Sequence, residues 1–356
     1  MDRHFSLYLD LLRFCAAVLV VLAHYGQQRF FIPSGNHLYD FGREAVIVFF
    51  VLSGLVIAHT TAVKKASLKE YIAARCARMY VTVIPMLVLS FLLAALLPAQ
   101  AGTAVAGAYQ LAKLYIYIPL HLLFMGELWQ LAEVPPFLAQ YWSLSYEVWY
   151  YVLFGIVFYL RGALRTVLAA AVLLLIGPKL WLLLPVWLAG VWVYRHQQCL
   201  PVAPPVARAG CVATVALLVA WKWFALDIAL RALGRELWPF PGFSLGSADR
   251  YLADYAVCLL VCLHFLCARQ AQFSFPPAVA GVIRTLAGYS FTLYLVHGLV
   301  LGVWPRLFAH DPASALDIAL LTICVAGATL VIGNVTEQRK PGLQRRLNVV
   351  FGTQRS

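Results

Sequence analysis

Charge is scarce in this 356-residue chain. Asp, Glu, Lys and Arg together make up 12% of it, and only 15 residues are acidic. A soluble domain carries about 25% charged residues, so the shortage excludes a soluble enzyme. With 63% hydrophobic residues, an intrinsically disordered chain is excluded too. Metal-site spacing is missing as well. The eight cysteines contain no CxxC pair, and no His/Cys spacing suggests zinc, so no metal is expected. Most cysteines, including Cys15, Cys211, Cys258, Cys262 and Cys324, lie inside apolar runs. There they behave as small hydrophobes, which argues against a secreted disulfide scaffold. No internal repeat or low-complexity tract is visible.

What the chain has instead is a succession of long apolar runs, with a mean hydropathy of +0.81. A spanning helix needs about 20 mostly apolar residues, so the length allows about ten spans. They are expected near 6–25, 44–62, 79–98, 142–160, 163–177, 180–195, 208–226, 251–268, 281–304 and 315–335. The fold class expected is therefore an all-α polytopic membrane protein. The first run is followed by no small-x-small cleavage site and reads as a retained span. An eleventh apolar stretch, 109–126, is interrupted by Lys113, Pro119 and His121.

The net charge of +12 would suggest nucleic acid in a soluble protein. Here the basic residues gather in short loops between apolar runs, as cytoplasmic loops of membrane proteins do, so no nucleic-acid partner is expected. With the N-terminus cytoplasmic and 109–126 not crossing, most of the 27 basic residues fall inside, among them Lys64, Lys65, Lys69, Arg75, Arg78, Arg339, Lys340, Arg345 and Arg346. If 109–126 crossed, the basic tail would lie outside. The positive-inside rule thus favours both termini inside, with 109–126 as a re-entrant or outer-surface helix. The organisation expected is one transmembrane domain over 1–336 and a basic cytoplasmic tail over 337–356.

Ionisable side chains within spans are costly and point to function. The first span carries Asp10, Arg13 and His24. Asp10 and Arg13 are i,i+3 neighbours. Arg13 and His24 are about 20° apart in rotation and roughly 16 Å apart along the axis, so the three form one stripe. In the fourth span, Ser143, Glu147 and Tyr150/Tyr151 share a face beside Trp142; Glu147 can serve as general acid or base, or orient His24. In the ninth, Ser290, Tyr294 and His297 share a face, which suits substrate contact. Between the second and third spans, Arg75 and Arg78 lie one helical turn apart and can clamp phosphate, while a positive-inside loop would look much the same.

Together these elements resemble the membrane acyltransferase-3 family. The match runs in order through Leu9-Asp10-Leu11-Leu12-Arg13 to His24, then Val46 to Ile57 with Phe49-Phe50-Val51-Leu52-Ser53-Gly54, then Arg75/Arg78, then Trp142-Ser143-Leu144 with Glu147, and finally Ser290 to His297. Ala45 departs from the pattern, which has glycine there. The resemblance implies transfer of an acyl group, commonly acetyl, from cytosolic acyl-CoA to a hydroxyl of an extracytoplasmic or membrane-bound acceptor, mostly a sugar of a surface polysaccharide or glycolipid. It implies a multi-pass protein of the bacterial inner (cytoplasmic) membrane, with the lipid bilayer as surroundings and no permanently bound cofactor. On this reading His24, Glu147, Asp10 and Arg13 carry the chemistry. Arg75, Arg78 and Arg13 hold acyl-CoA, and Trp142, Ser143, Tyr294 and His297 contact the acceptor. The competing reading is a secondary transporter or flippase for a lipid-linked sugar, with the same intramembrane groups as a proton relay.

Overall fold

In a computed structural model of the chain, residues 3–31, 40–97, 109–197, 199 and 201–352 are described. No strand occurs among them. The principal helices are α1 (Arg3–Gln27), α2 (Gly42–Lys64), α3 (Leu68–Leu96), α4 (Leu114–Leu122), α5 (Trp142–Tyr159), α6 (Gly162–Arg195), α7 (Pro204–Trp223), α8 (Leu226–Leu237), α9 (Tyr251–Gln270), α10 (Pro277–Ala287), α11 (Ser290–Leu307), α12 (Ala315–Val335) and α13 (Lys340–Val350).

Among the described residues, seven helical stretches are long and apolar enough to cross a membrane: α1, α2, α3, α6, α7, α9 and the run Ala315–Val350. The pair α10 and α11, bent by 50°, makes an eighth if taken as one span. Nine of the ten expected spans each fall on one helix or half-helix, and 281–304 is divided between α10 and α11. The stretches 163–177 and 180–195 are the two halves of α6, separated at the non-helical Gly177, and α5 is diluted by Glu147, its serines and its tyrosines. Helix α4, within the stretch expected not to cross, has nine residues, or about 14 Å. It is too short to span a hydrocarbon core of about 30 Å by itself.

Helix α3 begins earlier than hydropathy suggests. Ser67 accepts from the Glu70 amide at 3.3 Å, and the Ser67 amide donates to Glu70 at 2.7 Å. This reciprocal box starts a helix at Leu68. Arg75 and Arg78 therefore stand two turns or more inside α3, not in the loop where the sequence reading put them.

The chain divides into two compact units. One comprises Met1–Ala23, Pro33–Lys65 and Pro178–Ala287; the other comprises His24–Ile32, Ala66–Gly177 and Gly288–Ser356. Gly177, with φ 77° and ψ 177°, ends the first half of α6 in a conformation reserved for glycine. Trp129 packs on it and donates to the carbonyls of Leu174 (3.1 Å) and Ile176 (3.3 Å), groups that the broken helix leaves without intrahelical partners.

In the first unit, α2 and the second half of α6 meet backbone to backbone. A Cβ at Gly54 would sit 2.1 Å from the Trp187 carbonyl oxygen, and one at Gly190 1.8 Å from that of Val51. Small residues permit this approach, and Trp187 locks it by donating to Ser53 at 3.2 Å. The Ser53-Gly54 pair is thus a packing feature. The same unit holds a buried ion network. Arg43 grips Asp254 through both carboxylate oxygens. Lys222 pairs with Glu44 (3.1 Å) and Asp227 (3.0 Å), and Arg250 reaches Asp227 at 2.7 Å. Asp227 lies in α8, outside the candidate spans. Burial alone would raise its carboxyl, but Lys222 and Arg250 outweigh burial and hold it below the usual carboxylate range.

In the second unit, α11 packs on α12 and α3, and α13 packs on α3. Residues 340–350, within the expected basic tail, are therefore helical and docked on α3.

Candidate active site

Most of the site residues read from the sequence gather in the second unit, where α3, α5, α11 and the last turn of α1 bring them together. Asp10 and Arg13 belong to the first unit, further along α1. They form the expected ion pair at 3.3 Å, with Arg284 within electrostatic reach of Asp10.

The first layer of the site is a histidine pair. His297 is fully buried. Its Nδ1 faces the Leu293 carbonyl oxygen at 2.9 Å, and its Nε2 lies 3.2 Å from Nδ1 of His24. A carbonyl only accepts, so His297 Nδ1 carries a proton. In the neutral ring Nε2 then has the lone pair and accepts from His24 Nδ1–H. A neutral His24, in turn, carries its lone pair on Nε2. The contact thereby fixes both tautomers, as second-layer partners do for working histidines. The ring of His297 reaches His24. His24 is half-buried, and the contact with His297 fixes its ring.

A hydroxyl layer lies beside the histidines. Ser143 and Tyr294, both buried, share a hydrogen bond of 2.6 Å. Tyr294 also donates to the Gln140 carbonyl at 3.1 Å, while the Gln140 amide donates to the Leu295 carbonyl at 2.8 Å. Gln140 was not singled out from the sequence, since it precedes the Trp142-Ser143-Leu144 motif and looks like a loop residue. Gly298, next to His297, makes room for it, for a Cβ there would approach the Gln140 side chain to 2.6 Å. Trp142 is half-buried, edge-on to Tyr146 with centroids 5.5 Å apart.

The third layer is ionic. Tyr151 donates to Glu147, and Arg78 hydrogen-bonds Tyr151 while facing Glu147 and Glu337. Glu337 accepts from the Thr292 hydroxyl at 2.9 Å and lies within reach of Lys340. Glu337 escaped the sequence reading because it follows the last apolar run and looked like part of a solvated tail. Arg75 is placed differently from Arg78. It stacks on Tyr71 and Tyr151, 5.9 Å and 5.4 Å from the ring centroids.

An all-helical, multi-pass membrane protein with an imidazole pair, paired hydroxyls and an arginine–carboxylate cluster in one unit is equipped for proton transfer on a bound substrate. The comparison with known families defines the class further: the model of the acyltransferase domain matches residues 6–333. The chain belongs to this acyltransferase-3 family, and it is a membrane acyltransferase. No curated protein and no solved structure matches it. Glu337 lies beyond the matched segment.

Proposed function

We propose that the protein moves an acyl group from cytosolic acyl-CoA to a hydroxyl of an extracytoplasmic or membrane-bound acceptor, a sugar of a surface polysaccharide or glycolipid. Acetyl is the acyl group that the resemblance favours. The setting is the bacterial inner membrane, with both termini cytoplasmic. The observation that carries this reading is the His24–His297 contact, because it supports a base-ready nitrogen on His24.

In the reaction, His24 Nε2 takes the proton of the acceptor hydroxyl as its oxygen attacks the thioester carbonyl carbon. The new C–O bond forms, the C–S bond breaks, and the proton ends on the departing CoA sulfur. A positioned general base contributes about 10²–10⁴-fold. His297 is a positioning residue. Arg75, stacked on two rings and outside the carboxylate cluster, suits CoA phosphate. Arg78 holds Tyr151 and Glu147 in place, so that Glu147 can relay the proton taken up by His24 to the leaving sulfur. Ser143, Tyr294 and Trp142 face the acceptor.

The test is turnover of radiolabelled acetyl-CoA by the purified protein with cell-envelope glycan as acceptor. Label transferred to glycan by wild-type protein and lost in His24→Ala supports the reading. Sugar-lipid movement without consumption of acyl-CoA would instead establish the transporter alternative.

A further inference from the structure

Two consecutive prolines, Pro135 and Pro136, stiffen the chain just ahead of α5. The next residue, Phe137, has φ 62°, a left-handed conformation that a bulky side chain adopts only under constraint. Both ends of this segment are tied down. Buried Ser90 of α3 donates to the Pro136 carbonyl at 2.5 Å, and Tyr141 donates to the His121 carbonyl at 2.7 Å.

The segment presses on α11. Leu295, Gly298 and Gly302 share one face of that helix by i,i+3 and i,i+7 spacing. A Cβ at Gly302 would overlap the Phe137 ring. One at Gly298 would stand 2.6 Å from the Phe137 carbonyl oxygen and 2.6 Å from the side-chain nitrogen and oxygen of Gln140. The two glycines thus open a groove, and residues 137–140 fill it as a wedge. Arg306 lies over the Phe137 ring, 4.5 Å from its centroid. Gln140 donates from its side chain to the Leu295 carbonyl at 2.8 Å, and its own carbonyl accepts from Tyr294 at 3.1 Å.

His297 is the residue before Gly298, about 100° round the helix from the groove. Its link to His24 is a single contact of 3.2 Å, and hydrogen bonds weaken steeply when misaligned. A bare glycine groove would let α11 turn or slide. A side chain threaded into the groove and bonded to one particular carbonyl forbids both. We propose that Gln140, seated by Phe137, is a positioning residue that fixes the rotation of α11 so that His297 meets His24; its place in the transfer reaction rests on the acyltransferase reading above.

The experiment takes the purified full chain and measures initial rates against acetyl-CoA concentration per folded molecule, together with nitrogen-15 spectra of the histidines. Gln140→Met keeps an unbranched side chain but loses the donor to Leu295. Gly298→Ala pushes the wedge out from the other side. In both, kcat should fall at least about tenfold with KM for acetyl-CoA little changed, since a misplacement of about 1 Å costs up to about 10²-fold and Arg75 is untouched. The His24 signals should also leave their single defined state. Gly327→Ala, at an α12 position where an added Cβ meets none of the described residues within 4 Å, should change neither. A lower unfolding midpoint in Gln140→Met with kcat and the His24 signals intact would make the wedge a packing feature only and overturn the proposal. An equal loss in Gly327→Ala would overturn it too, because any loosening would then suffice. Absence of turnover in the wild type would overturn the acyltransferase reading instead, and the His24 signals would still decide whether Gln140 holds the histidine pair.

Discussion

Both units bury charge, but they handle it in opposite ways. In the first, Arg43, Glu44, Lys222, Asp227, Arg250 and Asp254 are matched to one another, with Glu44, Lys222 and Asp254 almost inaccessible. Each charge there faces an opposite charge, so the network reads as a brace. In the second, His24 is half-buried beside a fully buried partner, and Arg75 rests on aromatic rings with a buried Nε unpartnered among the described residues. An ionisable residue within a membrane therefore signals function when its partner positions it and leaves it something to do. When its partners consume it, it signals architecture.

The largest effect that would break or sustain this contrast lies at His24. Replacing it by alanine should reduce acyl transfer by about 10²–10⁴-fold while the protein remains folded. A variant that retains more than about a tenth of wild-type transfer would return the base role to Glu147. Next in size is the brace. Asp254→Asn leaves Arg43 buried without its counter-charge, at a cost of about 3–5 kcal/mol. That loss should appear as a lower unfolding midpoint in detergent, with turnover per folded molecule unchanged; a selective loss of turnover would mean that the two units do not divide the labour.

Arg75→Ala should raise KM for acyl-CoA roughly tenfold, because a charge-assisted hydrogen bond is worth about 1.5–3 kcal/mol. Lysine at that position should rescue only part, since it lacks the planar fork. Unaltered acyl-CoA affinity in both variants would leave Arg75 as a packing residue. The smallest effect is a pH dependence in the brace. The Asp227 carboxyl is held below its ordinary value in the fold. Its contribution is therefore full above the unfolded-state value of about 3.9 and is lost as pH falls through the folded value. Acid should thus lower the unfolding midpoint of wild type more steeply than that of Asp227→Asn, and parallel curves would exclude Asp227 as the source.

The all-helical, membrane character was legible in composition alone, and the ordered motifs named the family because they lie in the residues that pack and position. His24, Ser143, Glu147, Tyr294 and His297 could be read as faces, since helical periodicity places residues on faces. Which face meets which could not be read, because that depends on packing between distant segments. Periodicity therefore aligned His24 with Arg13, and the fold put it against His297. Asp254 and Lys222 were visible as charges in or beside apolar runs, yet only their pairing reveals a brace. The early start of α3 was legible, for Ser67-Leu68-Lys69-Glu70 is a capping-box sequence that hydropathy overlooks.

The account turns on the tautomer of one ring. Nitrogen-15 spectra of histidine-labelled protein in lipid, with the His24 signals assigned by their loss in His24→Ala, report which nitrogen is protonated. The structure predicts a protonated Nδ1 and a lone pair on Nε2 for His24, both lost from a single defined state in His297→Ala. A His24 protonated at Nε2 in the wild-type protein would contradict the account.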